Sequence, residues 1–189
     1  MSHIGSIGAG VFSDLSVCLT ETDEDVLAAI TTDTVFQALF VDEDTGYTRI
    51  KNVREFPSMG TPPNVVNVPV YGQKTSQQVQ GQSDAPSMEI QLNFIADDWS
   101  SDAVLGAMVG DGVQRMFRFT LLNAKPVGTD PYDSITDGEG LDSVDNSQYY
   151  WVGKIEALQV NPQLTDANTA TVTITVQSDF NGAFTSTSV

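Results

Sequence analysis

Positive charge is scarce in this sequence. Its 189 residues include 8 Lys and Arg against 25 Asp and Glu, for a formal net charge of −17. Proteins that grip nucleic acid neutralise phosphates with Lys and Arg. No basic cluster occurs here, which argues against that class and against attraction to an anionic membrane surface. Two readings of the acidity stay open. One is solubility or a salty habitat; the other is a surface that must repel something anionic.

Cysteine and histidine are nearly absent too. Cys18 is alone, so no intramolecular disulfide and no thiolate metal site can form. In SVCLT it reads as a small strand residue. The one histidine, His3, lies in a Gly- and Ser-rich N-terminal stretch. A Ser–His–Asp relay or a Cys–His pair needs a positioned imidazole, which His3 does not offer. No run of about 18 apolar residues is present, so no transmembrane helix is expected. The opening MSHIGSIGAGVFSDL lacks a basic segment followed by an apolar block, and no signal peptide is expected. Gly5, Gly8 and Gly10 imitate a dinucleotide loop, but no strand precedes them and no βαβ unit surrounds them.

What the chain does have is alternation. Ser87 to Ile95 sets Met88, Ile90, Leu92 and Phe94 on one face and Glu89, Gln91 and Asn93 on the other, the period-two pattern of a half-buried strand. Just before it, Tyr71 to Pro86 is polar, with Gln73, Lys74, Gln77, Gln78, Gln80 and Gln82 and almost no apolar content. A neutral, glutamine-rich arm thus feeds into a core strand.

Further strands are predicted over 15–19, 34–41, 47–56, 114–122, 149–160 and 167–180. Phe117 and Phe119 share one face of the 114–122 strand. In the last strand Ala170, Val172, Ile174 and Val176 point inward, and Thr171, Thr173, Thr175 and Gln177 point outward. Gly153 marks a bend or bulge. Val65 to Tyr71 is extended but contains Pro69, which places it at an edge or outside a sheet. One helix follows the central strand: Asp97 or Asp98 caps it, Val104, Leu105 and Met108 form its apolar stripe, and Gly110 stops it. A brief helix near 22–30 is a weaker signal. Residues 57–86 and 123–148 read as long loops, and 1–10 and 181–189 as loose ends. The whole, 1–189, suits a single domain. The pattern is mainly β: an antiparallel β-sandwich or barrel with one flanking α-helix and long polar loops.

Catalytic chemistry is hard to find. The acids crowd into loops at Glu21–Asp25, Asp42–Asp44 and Asp130–Asp145. Paired carboxylates can hydrolyse glycosides, but solvated loop charge is the simpler account. Asp133, Asp137, Glu139, Asp142 and Asp145 supply oxygen ligands of the type calcium takes, without the EF-hand spacing. Trp99, Trp151, Tyr149 and Tyr150 could stack on a sugar, although such residues are more often core or interface anchors. No enzyme activity and no cofactor is expected. A carbohydrate-binding or adhesin-type β-sandwich is the competing reading.

Five stretches taken together carry a resemblance: YGQKTSQQVQGQSDAPSMEIQLNF, DDWSSDAVLGAMVGDG, QRMFRFTLLN, YYWVGKIEALQV and TATVTITVQSDF. In this order, over about residues 35–180, the chain resembles the tail tube (major tail) proteins of lambda-like long-tailed bacteriophages. The resemblance is an ordered set of elements rather than a short invariant motif. It implies a β-sandwich with a flanking helix, whose subunits close into hexameric rings that stack into a hollow virion tail tube, assembled in the host cytoplasm. It implies a tape-measure protein and tail terminator and tip proteins as partners, with DNA passing through the bore without specific binding. On that reading Gln73, Lys74, Gln77, Gln78, Gln80 and Gln82 belong to an inter-subunit or ring-stacking loop. Candidate bore-lining residues are Glu89, Gln91 and Asn93, and Thr173, Thr175 and Gln177.

Overall fold

The computed structural model describes residues 13–21, 46–59, 65–69, 71–72, 74–75, 77–80, 87–121, 147–178 and 180–185. The sequence-predicted strand over 34–41, the brief helix near 22–30 and the acidic stretch 130–145 lie outside the described residues, as do 1–10.

The described chain is mainly β. Ten strands run in order: β1 (Asp14–Glu21), β2 (Tyr47–Arg49), β3 (Val53–Glu55), β4 (Val65–Val68), β5 (Gln77–Gln80), β6 (Ser87–Asn93), β7 (Arg115–Leu121), β8 (Ser147–Asn161), β9 (Thr169–Val176) and β10 (Asn181–Thr185). A single short helix, α1 (Val104–Met108), lies between β6 and β7. Every pairing is antiparallel. The main sheet follows the order β2-β1-β7-β8-β9-β6-β3, with β10 alongside β8.

That path closes on itself. Its two ends, β2 and β3, are halves of one segment separated only by Ile50–Asn52. The Ile50 amide donates to the Leu15 carbonyl of β1, and the Asn93 amide of β6 donates to the Asn52 carbonyl, each at 2.9 Å. The result is a barrel-like sheet whose seam is the segment 47–55. The sequence pattern predicts one continuous strand over 47–56. The structure instead breaks it at Asn52, whose φ of 61° lies in the left-handed region; Asn tolerates that conformation better than most residues. Upstream of the break Tyr47 and Arg49 are buried on one face and Ile50 on the core face, while Lys51 is exposed.

β8 is the longest strand and serves two neighbourhoods. Its first half pairs with β7 on one edge and β10 on the other; its second half pairs with β9. β9 and β10 therefore run along the same edge of β8, interrupted near 177–180, where the Ser178 hydroxyl accepts the Val152 amide at 2.8 Å. The expectation of a loose end at 181–189 is corrected in part: Asn181–Thr185 forms β10.

The core is built from the alternating faces. Met88, Ile90 and Leu92 of β6 meet Val172, Ile174 and Val176 of β9, with Phe117, Trp151, Ile155, Leu15 and Val17 completing it. Phe94 and Phe119 pack against its margin, partly buried. Leu105 and Met108 bring α1 onto the same cluster beside Trp99. Val104 does not follow them and is 52% exposed. A helix of 5 residues presents only a narrow face, and Leu105 and Met108, at i and i+3, already occupy it. The capping expectation is also corrected. Asp97 and Asp98 lie in turns before the helix, the N-cap residue is Ala103 without a side-chain cap, and no acid lies in the first turn. Gly110 does close the element, with φ of 72° and its amide donated to the Ile155 carbonyl at 2.8 Å.

Candidate assembly surfaces

The solvent face of the β8–β9–β6 region is a polar plate. Because the side-chain period is two, every inward apolar residue on these strands leaves an outward neighbour. The ladder sets Glu89 opposite Thr173, Gln91 opposite Thr171, and Asn93 opposite Thr169. On the other side Lys154 faces Thr175, Ala157 faces Thr173, Gln159 faces Thr171 and Asn161 faces Thr169. Glu89, Gln91 and Asn93 are exposed, Thr173 and Thr175 are half-buried, and Gln177, just past β9, is exposed on the same face. All six candidate bore residues thus share one surface. The plate bears Glu89 and Lys154 at paired positions, and Glu156, exposed at the bulge of β8 between Ile155 and Ala157, lies beside them. The large negative charge of the chain is not located there.

A second surface replaces the arm expected over 57–86. Residues Val65–Val68 and Gln77–Gln80 form a two-stranded hairpin, β4–β5, with Val65 opposite Gln80 and Val68 opposite Gln77. Among the described residues it is a separate sheet with no ladder to the main one. Gln77, Gln78 and Gln80 therefore belong to a strand rather than a loop, and Lys74 lies exposed in the connecting turn; Gln73 and Gln82 lie outside the described residues. At the tip Val68 is 41% exposed and Tyr71 fully so. From Phe56 to Ser83 the sequence contains no Asp or Glu and one charged side chain, Lys74.

The third feature is an aromatic groove where the core opens to solvent. Phe56, Pro57, Met59, Phe119, Tyr149 and Phe180 line a groove of about 370 Å³. Phe56 meets Phe119 edge-on at 5.0 Å between ring centroids. Tyr149 stacks on Phe180 at 5.6 Å, and Phe180 lies 5.3 Å from Trp151. Trp151 in turn stacks on Phe117 at 5.6 Å. The groove is thus the outer end of an aromatic column whose inner members are fully buried. Trp99, Trp151 and Tyr150 are buried too, so they form no exposed sugar-stacking platform.

Sequence reasoning missed a fourth feature, a buried polar layer on the opposite face of β1, β2 and β7. Asp14, Ser16, Arg49, Arg118 and Thr120 are all buried. Arg49 pairs with Asp14, its Nε donating to Oδ1 at 2.7 Å and its Nη2 closing a second bond. The Ser16 hydroxyl donates to the other Asp14 oxygen at 2.8 Å. Arg118 lies over the Tyr47 ring at 4.8 Å, cation–π geometry. Burial pushes the Arg118 guanidinium below its ordinary pKa, opposed by the Asp14 charge. Burial likewise raises the pKa of the Cys18 thiol. The signal available was an acid at Asp14 in a strand-like run, on the face opposite Leu15 and Val17, with arginines at strand positions 49 and 118.

No protein-family model matches the sequence, and no curated protein matches it. Solved structures do. A chain from the cryo-EM structure of the anti-feeding prophage (AFP) baseplate, 6-fold symmetrised, is 9% identical, covers 93% of this chain and 95% of its own, and superposes with a TM-score of 0.51. A chain from the SPP1 tail tube, determined by solid-state NMR and cryo-EM, is 13% identical, covers 89% of this chain and 77% of its own, and has a TM-score of 0.46, too distant to bear on the fold. The shared architecture with the baseplate chain agrees with the fold expected from the tail-tube resemblance.

Proposed function

We propose that this chain is a structural, non-catalytic subunit of a phage-type tail, which self-assembles into stacked hexameric rings forming a hollow tube. The observation that carries the proposal is the β4–β5 hairpin, which among the described residues forms a sheet of its own. A lone two-stranded hairpin is marginal in water and needs packing to persist. Its amides and hydroxyls can bond a neighbour without the desolvation cost of charges. The fold shared with a baseplate chain resolved in a 6-fold particle supports the ring.

In such a ring the polar plate lines the bore. Its Thr, Gln and Asn hold no phosphate, and its one cation, Lys154, is outnumbered by Glu89 and Glu156, so DNA slides past without being held. The tape-measure protein occupies the bore before DNA does, and terminator and tip proteins close the two ends of the tube. The particle is a virion tail assembled in the host cytoplasm.

The test is electron microscopy of concentrated purified protein beside a variant lacking Gln73–Gln82, a deletion that removes the turn and β5. Wild type is expected to form rings or tubes of uniform diameter, and the deletion to remain a folded monomer. Wild type that stays monomeric at all concentrations and salts defeats the proposal; a deletion variant that still builds tubes defeats the role of the hairpin.

A further inference from the structure

β8 contains one residue more than its ladder with β9 needs. Ile155 pairs with Ile174 and Ala157 pairs with Thr173, so Glu156 and Ala157 together oppose a single residue. That arrangement is a β-bulge. Upstream of it Trp151 and Ile155, both odd-numbered, are in the core; downstream Leu158, even-numbered, packs against it. Without Glu156 the run Ile155, Ala157, Leu158 would alternate inward, outward, inward with no break. The sheet thus accommodates an additional residue, and that residue is an exposed carboxylate.

The irregularity is held in place by α1. Gly110, just past the helix, donates its amide to the Ile155 carbonyl at 2.8 Å. A Cβ on Gly110 would lie 3.7 Å from the Glu156 carbonyl oxygen, so the helix end seats against the backbone of the bulge. Bulges of this kind re-aim side chains.

We infer that Glu156 is the counter-charge of Lys154, carried onto the polar plate by the bulge so that the ammonium does not hold a polyanion. This rests on the reading of the plate as a bore lining and names the residue pair that keeps the lining from binding DNA.

Distances decide which acid does this. The three strands β6, β8 and β9 contain one basic residue, Lys154, and two acids, Glu89 and Glu156. Glu156 is two residues from Lys154 on the same strand, about 6–7 Å along the backbone. That is inside the screening length of about 8 Å at physiological ionic strength. A phosphate approaching the ammonium therefore meets the field of the carboxylate as well. Glu89 reaches the same row as Glu156 only across Thr173. It is two strands from β8, about 10 Å across the sheet, and one row away from Lys154, whose ladder partner is Thr175. Its field at Lys154 is largely screened, so Glu89 does not replace Glu156. An uncovered ammonium in every subunit would present DNA with a repeated set of phosphate contacts, strongest at low salt.

The experiment assembles tubes from purified protein, adds a fluorescent double-stranded DNA fragment and pellets the tubes. Wild-type tubes should leave the DNA in the supernatant. Glu156→Gln keeps the bulge and removes the charge; its tubes should carry down several-fold more DNA at low salt, and lose it at 1 M, where the screening length is about 3 Å. Adding Lys154→Gln to that variant should return the DNA to the supernatant, a rescue that a purely structural role for Glu156 would not produce. A second measurement tests the bulge. Deletion of Glu156 should leave a folded protein that melts near wild type, because the ladder closes in register. Deletion of Gln159, which reverses the facing of the residues beyond it, should melt far lower. Glu156→Gln tubes that leave DNA in solution at every salt, or a double variant that still retains it, overturn the pairing and leave the tube standing. A Glu156 deletion that unfolds shows that the fold requires the residue and overturns its role as an addition. Wild type that builds no tubes overturns the bore reading, and this inference with it.

Discussion

Asp14 is the residue whose environment is least expected from its type. A carboxylate buried at 3% exposure is tolerable only because Arg49 and Ser16 satisfy it. Taking two charges out of water consumes much of what their attraction returns, so the pair adds little net stability, yet breaking it leaves one charge stranded. Asp14→Ala is accordingly expected to lower unfolding free energy by about 3–5 kcal/mol, measured by urea titration. Replacing both partners with apolar residues, Asp14→Leu with Arg49→Met, should recover most of that loss. A single variant as stable as wild type would mean that Arg49 reaches solvent when its partner is removed.

At the level of elements, legibility followed the number of faces in contact with water. β6 and β9 each have one wet and one dry face, so Met88, Ile90, Leu92, Val172, Ile174 and Val176 were readable from alternation alone, as were their outward partners. β1 is covered on both faces from Asp14 to Cys18, and alternation cannot report a second buried layer made of polar residues. The β4–β5 hairpin fails in the other direction: its glutamine run lacks the periodic signal and reads as loop. The segment 47–55 follows a strand pattern whose break depends on a single backbone angle at Asn52, which composition does not reveal. α1 was predicted in the right place with the right stop, but its turns at 97–103 consume the residues assigned to its first turn.

Gly153 shows an element-scale constraint that was partly legible. It was expected to mark a bend in β8, and β8 changes partners there, from β7 to β9. A Cβ at this position would lie 2.8 Å from the Thr175 carbonyl oxygen and 3.1 Å from an Ile174 methyl. Both belong to a central strand that cannot retreat without disturbing β6. Gly153→Ala should therefore cost about 1–3 kcal/mol through overpacking, read as a lower melting temperature in calorimetry. A variant that melts with wild type would show that β9 can shift by the few tenths of an ångström required.

At the scale of the whole molecule, the distribution of charge matters more than its total. Negative charge of this size keeps free subunits apart, yet the plate on β8, β9 and β6 carries little of it, Glu89 and Glu156 against Lys154. If the plate lines a bore, its restraint has a purpose: a passing phosphate backbone meets hydroxyls and amides and finds no cation cluster to hold it. Glu89→Lys tests this where it is most exposed to a change of sign. Glu89 is solvent-facing, so stability should move by no more than about 0.5 kcal/mol, and tube length should be normal. The new ammonium, repeated in every subunit along the tube, gives DNA a series of phosphate contacts, and release of condensed counterions makes their hold salt-dependent. Ejection from particles built with Glu89→Lys should slow at low salt and recover as the screening length falls from about 10 Å at 0.1 M to about 3 Å at 1 M. Glu89→Gln, which removes charge without reversing it, should eject like wild type. Time-resolved fluorescence of released DNA measures all three. Kinetics for Glu89→Lys that match wild type across that salt range would take Glu89 off the bore and turn the plate to the outside of the tube, where it would face solvent or the tail exterior instead.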